Sequence, residues 1–144
     1  MVKIYLASKL HHANFARDLI VNNRFPMVTW TNRWQWFEGQ VSDAKKNAAH
    51  FWENDFDDVD AADAVLVMGW GKDILKGALV EAGYGIAKGK SVLCLGNSPS
   101  FSTWQYSNRI SEIVWKPDTS LDELFDFAVA TITQAYSLGR ESNQ

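Results

Sequence analysis

Short apolar runs alternate with amphipathic stretches along the whole chain. The apolar runs have the length of strands and lie at residues 2–7, 27–31, 64–68, 91–95 and 111–115. Between these runs lie segments in which apolar side chains recur at helical spacing: residues 13–23, Asp43 to about Asn54, 76–90, and Leu121 to about Tyr136. This alternation is typical of a largely parallel sheet covered by helices.

The pattern predicts an α/β fold: a single flavodoxin/Rossmann-like domain with an open, mostly parallel sheet of about five strands flanked by helices. We expect the domain to span residues 1–137 and a C-terminal tail to span 138–144. In open sheets of this kind, ligands bind beyond the carboxyl ends of the strands, where the strand order reverses. A site is therefore expected among the segments that follow the strands, at residues 7–10, 32–36, 69–77 and 96–100.

Composition narrows the class of protein. Hydrophobic residues make up 47% of the 144 positions and charged residues 22%, which is ordinary for a globular domain. A net charge of −3 argues against a nucleic-acid partner. The single Cys94 cannot form an internal disulfide and fits a reducing compartment. Since the sequence shows neither a signal peptide nor an apolar run long enough to span a membrane, we expect a cytoplasmic protein without a membrane partner.

The segment at residues 76–90, KGALVEAGYGIAKGK, carries the most informative carboxylate. It predicts a helix with Gly77 at its start, Gly89 as its C-terminal cap and Glu81 near its beginning. Helical spacing predicts that one face packs on the sheet (Leu79, Ala82, Ile86, Ala87) and that Gly77, Glu81 and Tyr84 lie on another. The interior Gly83 and Gly85 suggest close approach of a backbone or ligand. Taken alone, this helix favours a solvated surface carboxylate at Glu81.

The motifs of several common sites are missing. The segment GWGKD lacks P-loop spacing, and no dinucleotide fingerprint follows the first strand. The three histidines do not combine with Cys94 at metal-ligand spacing, so we expect neither a metal nor a cofactor. The adjacent His11 and His12 fit a solvated loop or the mouth of a pocket.

Acidic residues remain as candidates for chemistry. Five aspartates lie in a predicted turn before the third strand (Asp55, Asp57, Asp58, Asp60, Asp63). One carboxylate from this turn, placed opposite Glu81, would supply a pair. Glycosyl chemistry uses such a pair because one group stabilises or attacks the anomeric carbon while the other handles the leaving group's proton.

Four segments together resemble the nucleoside 2-deoxyribosyltransferase family, which includes related nucleoside and nucleotide N-glycosidases. They are KIYLAS, VTWTNRW, ENDFDDVDAADAVLV and KGALVEAGYGIAKGKSVLCLG, which together extend over most of the chain. The last two, at this separation, carry most of the specificity. Two positions depart from the family: Leu75 stands where its transferases carry an aspartate, with Asp73 two residues earlier, and Arg33 has no counterpart.

The resemblance implies a catalytic set of Glu81, Asp55 and Tyr5. Glu81 would be the nucleophile, kept ionised by the helix N-terminus. Asp55 would assist departure of the base, and Tyr5 would hydrogen-bond near the nucleophile. The expected reaction is cleavage of the N-glycosidic bond of a nucleoside or nucleotide through a covalent glycosyl-glutamate intermediate. The sugar would pass to another base or to water.

Substrate-binding residues are expected at the strand exits. The candidates are Ala7, Ser8, Arg33, Trp34, Gly77, Asn97 and Ser98. Ser8 fits a plain helix-start residue as well as a ligand donor. The tryptophans near residues 30–36 fit a core or an interface as well as a surface for base stacking. Aromatic richness over residues 30–52 and 101–115, together with the resemblance, predicts a homo-oligomer.

Two other classes of protein remain open on the sequence. A non-catalytic module that binds or senses a nucleotide fits the same fold, and so does a scaffold protein. The discriminating feature is whether Glu81 and Asp55 face one cavity. A module that only binds an anionic ligand has no use for two carboxylates that face the same cavity. A scaffold protein would leave the acidic residues solvated.

Overall fold

The structure, a computed structural model, describes residues 1–37 and 48–142, with side chains as far as Leu138. The strands are β1 Val2–Ala7, β2 Val28–Trp30, β3 Ala64–Met68, β4 Ser91–Leu95 and β5 Ile110–Val114. The α-helices of this part are α1 Ala13–Val21, α2 Ala48–Asp60, α3 Gly77–Ala87 and α4 Leu121–Ser142. Short 3₁₀ turns occupy Leu10–His12, Trp34–Trp36, Pro99–Phe101 and Trp104–Tyr106.

The five strands form one parallel sheet in the order β2-β1-β3-β4-β5. This confirms the predicted α/β class and its open, parallel sheet. The central strands β1 and β3 are almost entirely buried, which explains their continuous apolar sequence. The strand order reverses between β1 and β3, so the segments that leave their carboxyl ends diverge there and open a cleft.

Helix α2 differs from its sequence-based prediction in a way that matters for the site. The predicted start at Asp43 lies outside the described residues. At the other end, the helix continues to Asp60, whereas the sequence predicted a turn from about Asp55. Asp55 therefore projects from a helix, and the turn is confined to the residues just before β3. There Asp63 accepts a hydrogen bond from the Lys3 amide at 2.9 Å.

The final helix is longer than predicted, and its start is confirmed. The Ser120 hydroxyl accepts a hydrogen bond from the Glu123 amide at 3.2 Å and so caps the N-terminus of the helix. The helix continues to Ser142, past its predicted end at Tyr136, and includes most of the residues assigned to a tail. Within the described ranges, no helix is long and apolar enough to cross a membrane.

Helix α3 packs on β1, β3 and β4 and against α2. Its buried residues are Ala78, Glu81, Ala82 and Gly85, so the predicted stripe was wrong by about one position and Glu81 belongs to the buried face. Gly85 shows why: a Cβ there would lie 2.9 Å from Val65 Cγ2 of β3. The missing side chain lets the helix approach the sheet closely, and this carries Glu81, one turn earlier, inward. Gly83 has open space around it, and Gly89 has the positive φ of a C-terminal cap.

Candidate active site

A cavity of about 520 Å³ opens at the carboxyl edge of the sheet, beside the point where the strand order reverses. Its volume is within the usual range for small-molecule sites. The segment after β1 lines it with Ser8, Lys9, Leu10 and His11, and the approach to α3 lines it with Ile74, Leu75, Lys76 and Gly77. Helices α2 and α3, together with residues that follow β2, supply the rest: Trp34, Phe37, Ala48, Phe51, Trp52, Asp55, Ala78 and Glu81.

Glu81 and Asp55 both line this cavity, as the sequence predicted. Glu81 comes from α3 and is 6% exposed, while Asp55 comes from α2 and is half-buried. Space around the pair is kept open by Gly77, where a Cβ would lie 3.6 Å from the Trp52 ring and 3.9 Å from Glu81 Oε1. The carboxyls thus face a common space that a ligand can enter.

Tyr5 lies behind the two carboxyls, fully buried on β1. Its hydroxyl is close enough to Glu81 and Asp55 for each group to influence the pKa of the others. Neither the hydroxyl nor Glu81 Oε2, however, is in hydrogen-bonding geometry with any partner among the described residues. Buried polar atoms without partners are uncommon in folded proteins. We call Tyr5, Asp55 and Glu81 the carboxyl cluster.

Burial dominates the electrostatics of the carboxyl cluster. Desolvation, and then the charge of Asp55, raises the pKa of Glu81 to about 8. Desolvation and the charge of Asp58 raise the pKa of Asp55 to about 7. Burial likewise raises the pKa of Tyr5 far above its ordinary value. Near neutral pH, the two carboxyls therefore do not both ionise, and the pair keeps at least one proton.

This result corrects one expectation about Glu81. The sequence suggested that the helix N-terminus keeps the carboxylate ionised. Glu81 is instead the fifth residue of α3, and no acidic residue lies in the first turn. The dipole effect fades beyond that turn, so the cost of burial prevails and favours the neutral acid.

A second set of polar groups lies next to the cavity and is fully bonded. Asn32 Oδ1 accepts from the Leu6 amide at 3.0 Å, and its Nδ2 donates to Gln35 Oε1 at 2.7 Å. Gln35 Nε2 returns a hydrogen bond to the Asn32 carbonyl at 2.6 Å. Trp34 Nε1 donates to the Leu6 carbonyl at 2.7 Å. This Asn32 network, made of Asn32, Trp34 and Gln35, fixes the Trp34 ring against the cavity.

Of the predicted substrate-binding residues, Ser8, Trp34 and Gly77 line the cavity. The Ser8 hydroxyl donates to the Met68 carbonyl at 2.9 Å, joining the ends of β1 and β3. Four others stand outside the lining formed by the described residues. Ala7 is buried in the core, and Ser98 is buried and donates a hydrogen bond to the Asp73 carbonyl. The Arg33 Nε donates to Asp58 at 2.8 Å. Asn97 accepts a hydrogen bond from the Gly71 amide at 2.9 Å.

Several lining residues were not predicted to form the site. Phe51 and Trp52 lie on α2, and Phe37 follows the Trp34 turn. Their positions depend on how α2 crosses the sheet, which no local pattern specifies. The aromatic count of the sequence was the available signal. Lys9 and Lys76, by contrast, lie in the predicted segments 7–10 and 69–77 and bring two cationic side chains to the lining.

Comparisons with known proteins support the architecture. No protein-family model matches the sequence, and no curated protein matches it. Among solved structures, a 2-deoxyribosyltransferase from Bacillus psychrosaccharolyticus is 17% identical with a TM-score of 0.55, over 85% of this chain and 95% of that one. A CMP N-glycosidase of Clostridium botulinum is 16% identical with a TM-score of 0.53, over 88% and 98%. The resemblance expected from the sequence motifs is thus confirmed for the fold, which this chain shares with both enzymes.

Proposed function

We propose that the protein cleaves the N-glycosidic bond of a nucleoside or nucleotide. The observation that carries this proposal is the pair of carboxyls, Glu81 and Asp55, lining one largely apolar cavity with the unpartnered Tyr5 hydroxyl behind them. Groups with strongly shifted pKa values in a cleft are typical of active sites. The two solved structures that share the fold act as a 2-deoxyribosyltransferase and a CMP N-glycosidase, which supports the same class of reaction.

The first step uses one proton that the two carboxyls keep near neutral pH. With that proton on Asp55, Glu81 is a carboxylate and attacks C1′ of the sugar. The bond between C1′ and the base nitrogen breaks, and its electron pair leaves with the base, which takes the proton from Asp55. A glycosyl ester of Glu81 and an ionised Asp55 remain. Positive charge that develops at C1′ favours the ionised form of Glu81 once substrate is bound.

The second step regenerates the pair. Water attacks C1′ of the ester while Asp55 takes its proton, which releases the free sugar and the Glu81 carboxylate. A second base in place of water gives transfer instead of hydrolysis. The Tyr5 hydroxyl, next to Glu81, is placed to donate a hydrogen bond to the carboxylate when it is ionised.

The cavity walls fit the two ends of such a substrate. Trp34 and Trp52 offer aromatic faces for stacking with a base. Lys9 and Lys76 offer cationic groups at the lining, suited to a 5′-phosphate. Ser8 also lines the cavity, whereas Arg33 faces Asp58.

The non-catalytic alternative is less consistent with this arrangement. A module that only bound a nucleotide would gain nothing from burying two carboxyls beside the ligand. Ionised, they would repel an anion, and each costs folding free energy to bury. A scaffold protein would leave both groups in solvent. We therefore place the enzymatic function first.

Incubation with a panel of nucleosides and 5′-nucleotides, with and without a second free base, tests the proposal. Chromatography should show release of a base from at least one compound. Exchange of bases would identify a transferase, and release of free sugar a hydrolase. Intact-mass spectrometry of a stopped reaction should show a sugar adduct, and peptide mapping should place it on Glu81. Binding of nucleotides without any base release would favour the sensing module.

We also propose that the protein forms a homo-oligomer through the surface around the cavity mouth. Ile74 lines the cavity and remains about half exposed, and Trp36 in the turn after β2 and Val80 on α3 are large apolar side chains with similar exposure. Exposed apolar patches of this kind commonly mark interfaces. Sedimentation velocity at micromolar concentration should show a dimer or larger species. A monomer alone would contradict this proposal without affecting the catalytic one.

A further inference from the structure

A second cluster of chemically capable side chains lies at the edge of the same cavity. His11 and His12 end the turn after β1, and Asp73 belongs to the loop after β3. His12 Nε2 lies 2.8 Å from Asp73 Oδ2, and His11 Nε2 lies 3.5 Å from Asp73 Oδ1. One donor atom from each of the three residues lies within 4.8 Å of the others. Sequence spacing does not reveal this cluster, because the two histidines follow β1 whereas Asp73 follows β3.

We propose that His11, His12 and Asp73 form a binding site for a divalent transition metal, with Zn²⁺ as the best-suited ion. Two imidazole nitrogens and one carboxylate oxygen are a ligand set that zinc sites use, with a fourth position left for water or another ligand. The proposal goes beyond the glycosidic reaction, since neither carboxyl of the carboxyl cluster takes part.

The distances fit this ion with small adjustments. Ligand atoms about 2.0–2.1 Å from a tetrahedral zinc ion lie about 3.4 Å from one another. The 3.5 Å separation of His11 Nε2 and Asp73 Oδ1 already matches. The 2.8 Å separation of His12 Nε2 and Asp73 Oδ2 is a hydrogen bond and must open by about half an ångström. One ligand atom from each of the three residues lies within 4.8 Å of the others, so the set is already gathered on the scale of one ion.

Neighbouring groups hold the carboxylate in place. Asp73 Oδ2 accepts a hydrogen bond from the Trp70 amide at 2.9 Å, and the Asp73 carbonyl accepts from the Ser98 hydroxyl. Only 12% of the Asp73 side chain is exposed. Such outer hydrogen bonds orient metal ligands and are characteristic of functional sites. Helix α1 begins directly after His12 and fixes the other two ligands.

The position gives the site access to the cavity. His11 lines the cavity and its side chain is half exposed, whereas His12 is more enclosed. A metal held through His11 would therefore lie at the cavity rim. Its fourth position would be open to water or to an anionic oxygen of whatever occupies the cavity.

Isothermal titration calorimetry on untagged, chelator-treated protein tests the site directly. Zn²⁺ should bind at one site per chain, and His11→Ala and Asp73→Asn should each weaken binding at least about tenfold. His50→Ala is the matched control, because His50 lies on the exposed face of α2 next to Asn54, outside the cluster. It should bind as the wild type does. Circular dichroism confirms that each variant is folded.

Two further measurements keep the test decisive if one variant is unstable. Co²⁺ in place of Zn²⁺ should give the visible absorption of a tetrahedral site, absent from Asp73→Asn. Zn²⁺ should raise the melting temperature of wild type and His50→Ala but not of His11→Ala. The proposal fails if the wild type binds no Zn²⁺, or if the cluster variants bind it as tightly as the wild type. It also fails if His50→Ala loses binding to the same extent. None of these readouts depends on base release.

Discussion

Two buried polar regions lie next to each other in this molecule and differ in how completely they are bonded. In the Asn32 network, the side chains of Asn32, Trp34 and Gln35 all have hydrogen-bond partners at 2.6–3.0 Å. In the carboxyl cluster, the Tyr5 hydroxyl and Glu81 Oε2 have none in the described structure. Tyr5 and Glu81 are as deeply buried as the Asn32 network, so exposure to water does not explain the difference.

The contrast separates a structural role from a functional one. A bonded polar network recovers the cost of its desolvation and adds rigidity. Unpartnered groups with raised pKa values cost stability, and such departures from the rules of folding are expected at functional sites. We infer that the Asn32 network stabilises the cavity wall around Trp34, and that the carboxyl cluster is arranged to interact with a ligand. Each variant below should therefore affect either activity or stability, according to its region.

Glu81→Ala should have the largest effect, and on activity alone. Loss of a covalent nucleophile removes the reaction route, so base release should fall by roughly 10³-fold or more. The melting temperature should stay the same or rise, because a buried carboxyl is removed. Glu53→Ala, which removes an exposed carboxylate from α2, is the control and should retain activity. Base release by Glu81→Ala at the wild-type rate would end the enzymatic proposal.

Asp55→Asn should be milder. The amide keeps the shape of the side chain but cannot supply a proton, and general acid–base catalysis contributes about 10²–10⁴-fold. We expect a loss near the lower end of that range. Substrates whose base leaves readily without protonation should be affected least. An equal loss for all substrates would show that Asp55 positions the substrate and does not transfer a proton.

Asn32→Ala should show the opposite behaviour, with the main effect on stability. It leaves the Leu6 amide and Gln35 Oε1 buried without partners. Each such group costs about 1–3 kcal/mol, so unfolding in urea should show a loss of about 2–6 kcal/mol. The turnover of the remaining folded protein should change little, apart from a rise in KM if Trp34 moves. A stable variant with low turnover would contradict the division of roles.

The fold was predictable because both sides of the sheet are covered. Burial on two faces forces β1, β3 and β4 into continuous apolar runs, and their bounds matched the predicted residues 2–7, 64–68 and 91–95. The acidic sequence before β3 was misread as a turn, because DFDDVD has little apolar character. Packing of α2 on α3 extends that helix in spite of the local composition.

The site was predictable in its central residues and not in its surroundings. Glu81 and Asp55 came from motif resemblance, and their placement in one cavity agrees with it. Their protonation could not be predicted, since it depends on burial that Gly85 permits through the approach of α3 to Val65. The juxtaposition of His11, His12 and Asp73 likewise arises only when β1 and β3 pair.

Stability should fall as pH rises through the neutral range, and Glu81 should account for much of this. The pKa of Glu81 moves from an ordinary 4.5 to about 8 on folding, so the folded state binds its proton more tightly. That contribution is complete below about pH 4.5 and is lost as pH approaches 8, at no more than about 1.4 kcal/mol per pH unit.

Urea titrations of wild type and Glu81→Gln at pH 5, 6, 7 and 8 measure the difference. Because the amide does not titrate, the variant should gain stability relative to wild type as pH rises. Glu53→Gln, at an exposed position, should follow the wild type. Parallel curves for wild type and Glu81→Gln would show that folding leaves the pKa of Glu81 at its ordinary value, and the raised pKa of this carboxyl would then be wrong.

Tyr5→Phe should give the smallest change in activity and tests most directly how the carboxyl cluster is bonded. The unpartnered hydroxyl contributes nothing to the bonding of the free protein, so its removal should leave the unfolding free energy unchanged or slightly higher. In the reaction, the same hydroxyl is placed to stabilise the Glu81 carboxylate, so its loss should lower kcat/KM about tenfold, equivalent to about 1.4 kcal/mol. The acidic limb of the pH–rate profile should move to higher pH, because the hydroxyl lowers the pKa of Glu81.

A fully bonded structural tyrosine would show the opposite: the variant would lose stability and its pH–rate profile would not move. That result would place Tyr5 with the Asn32 network and remove the contrast between the two regions.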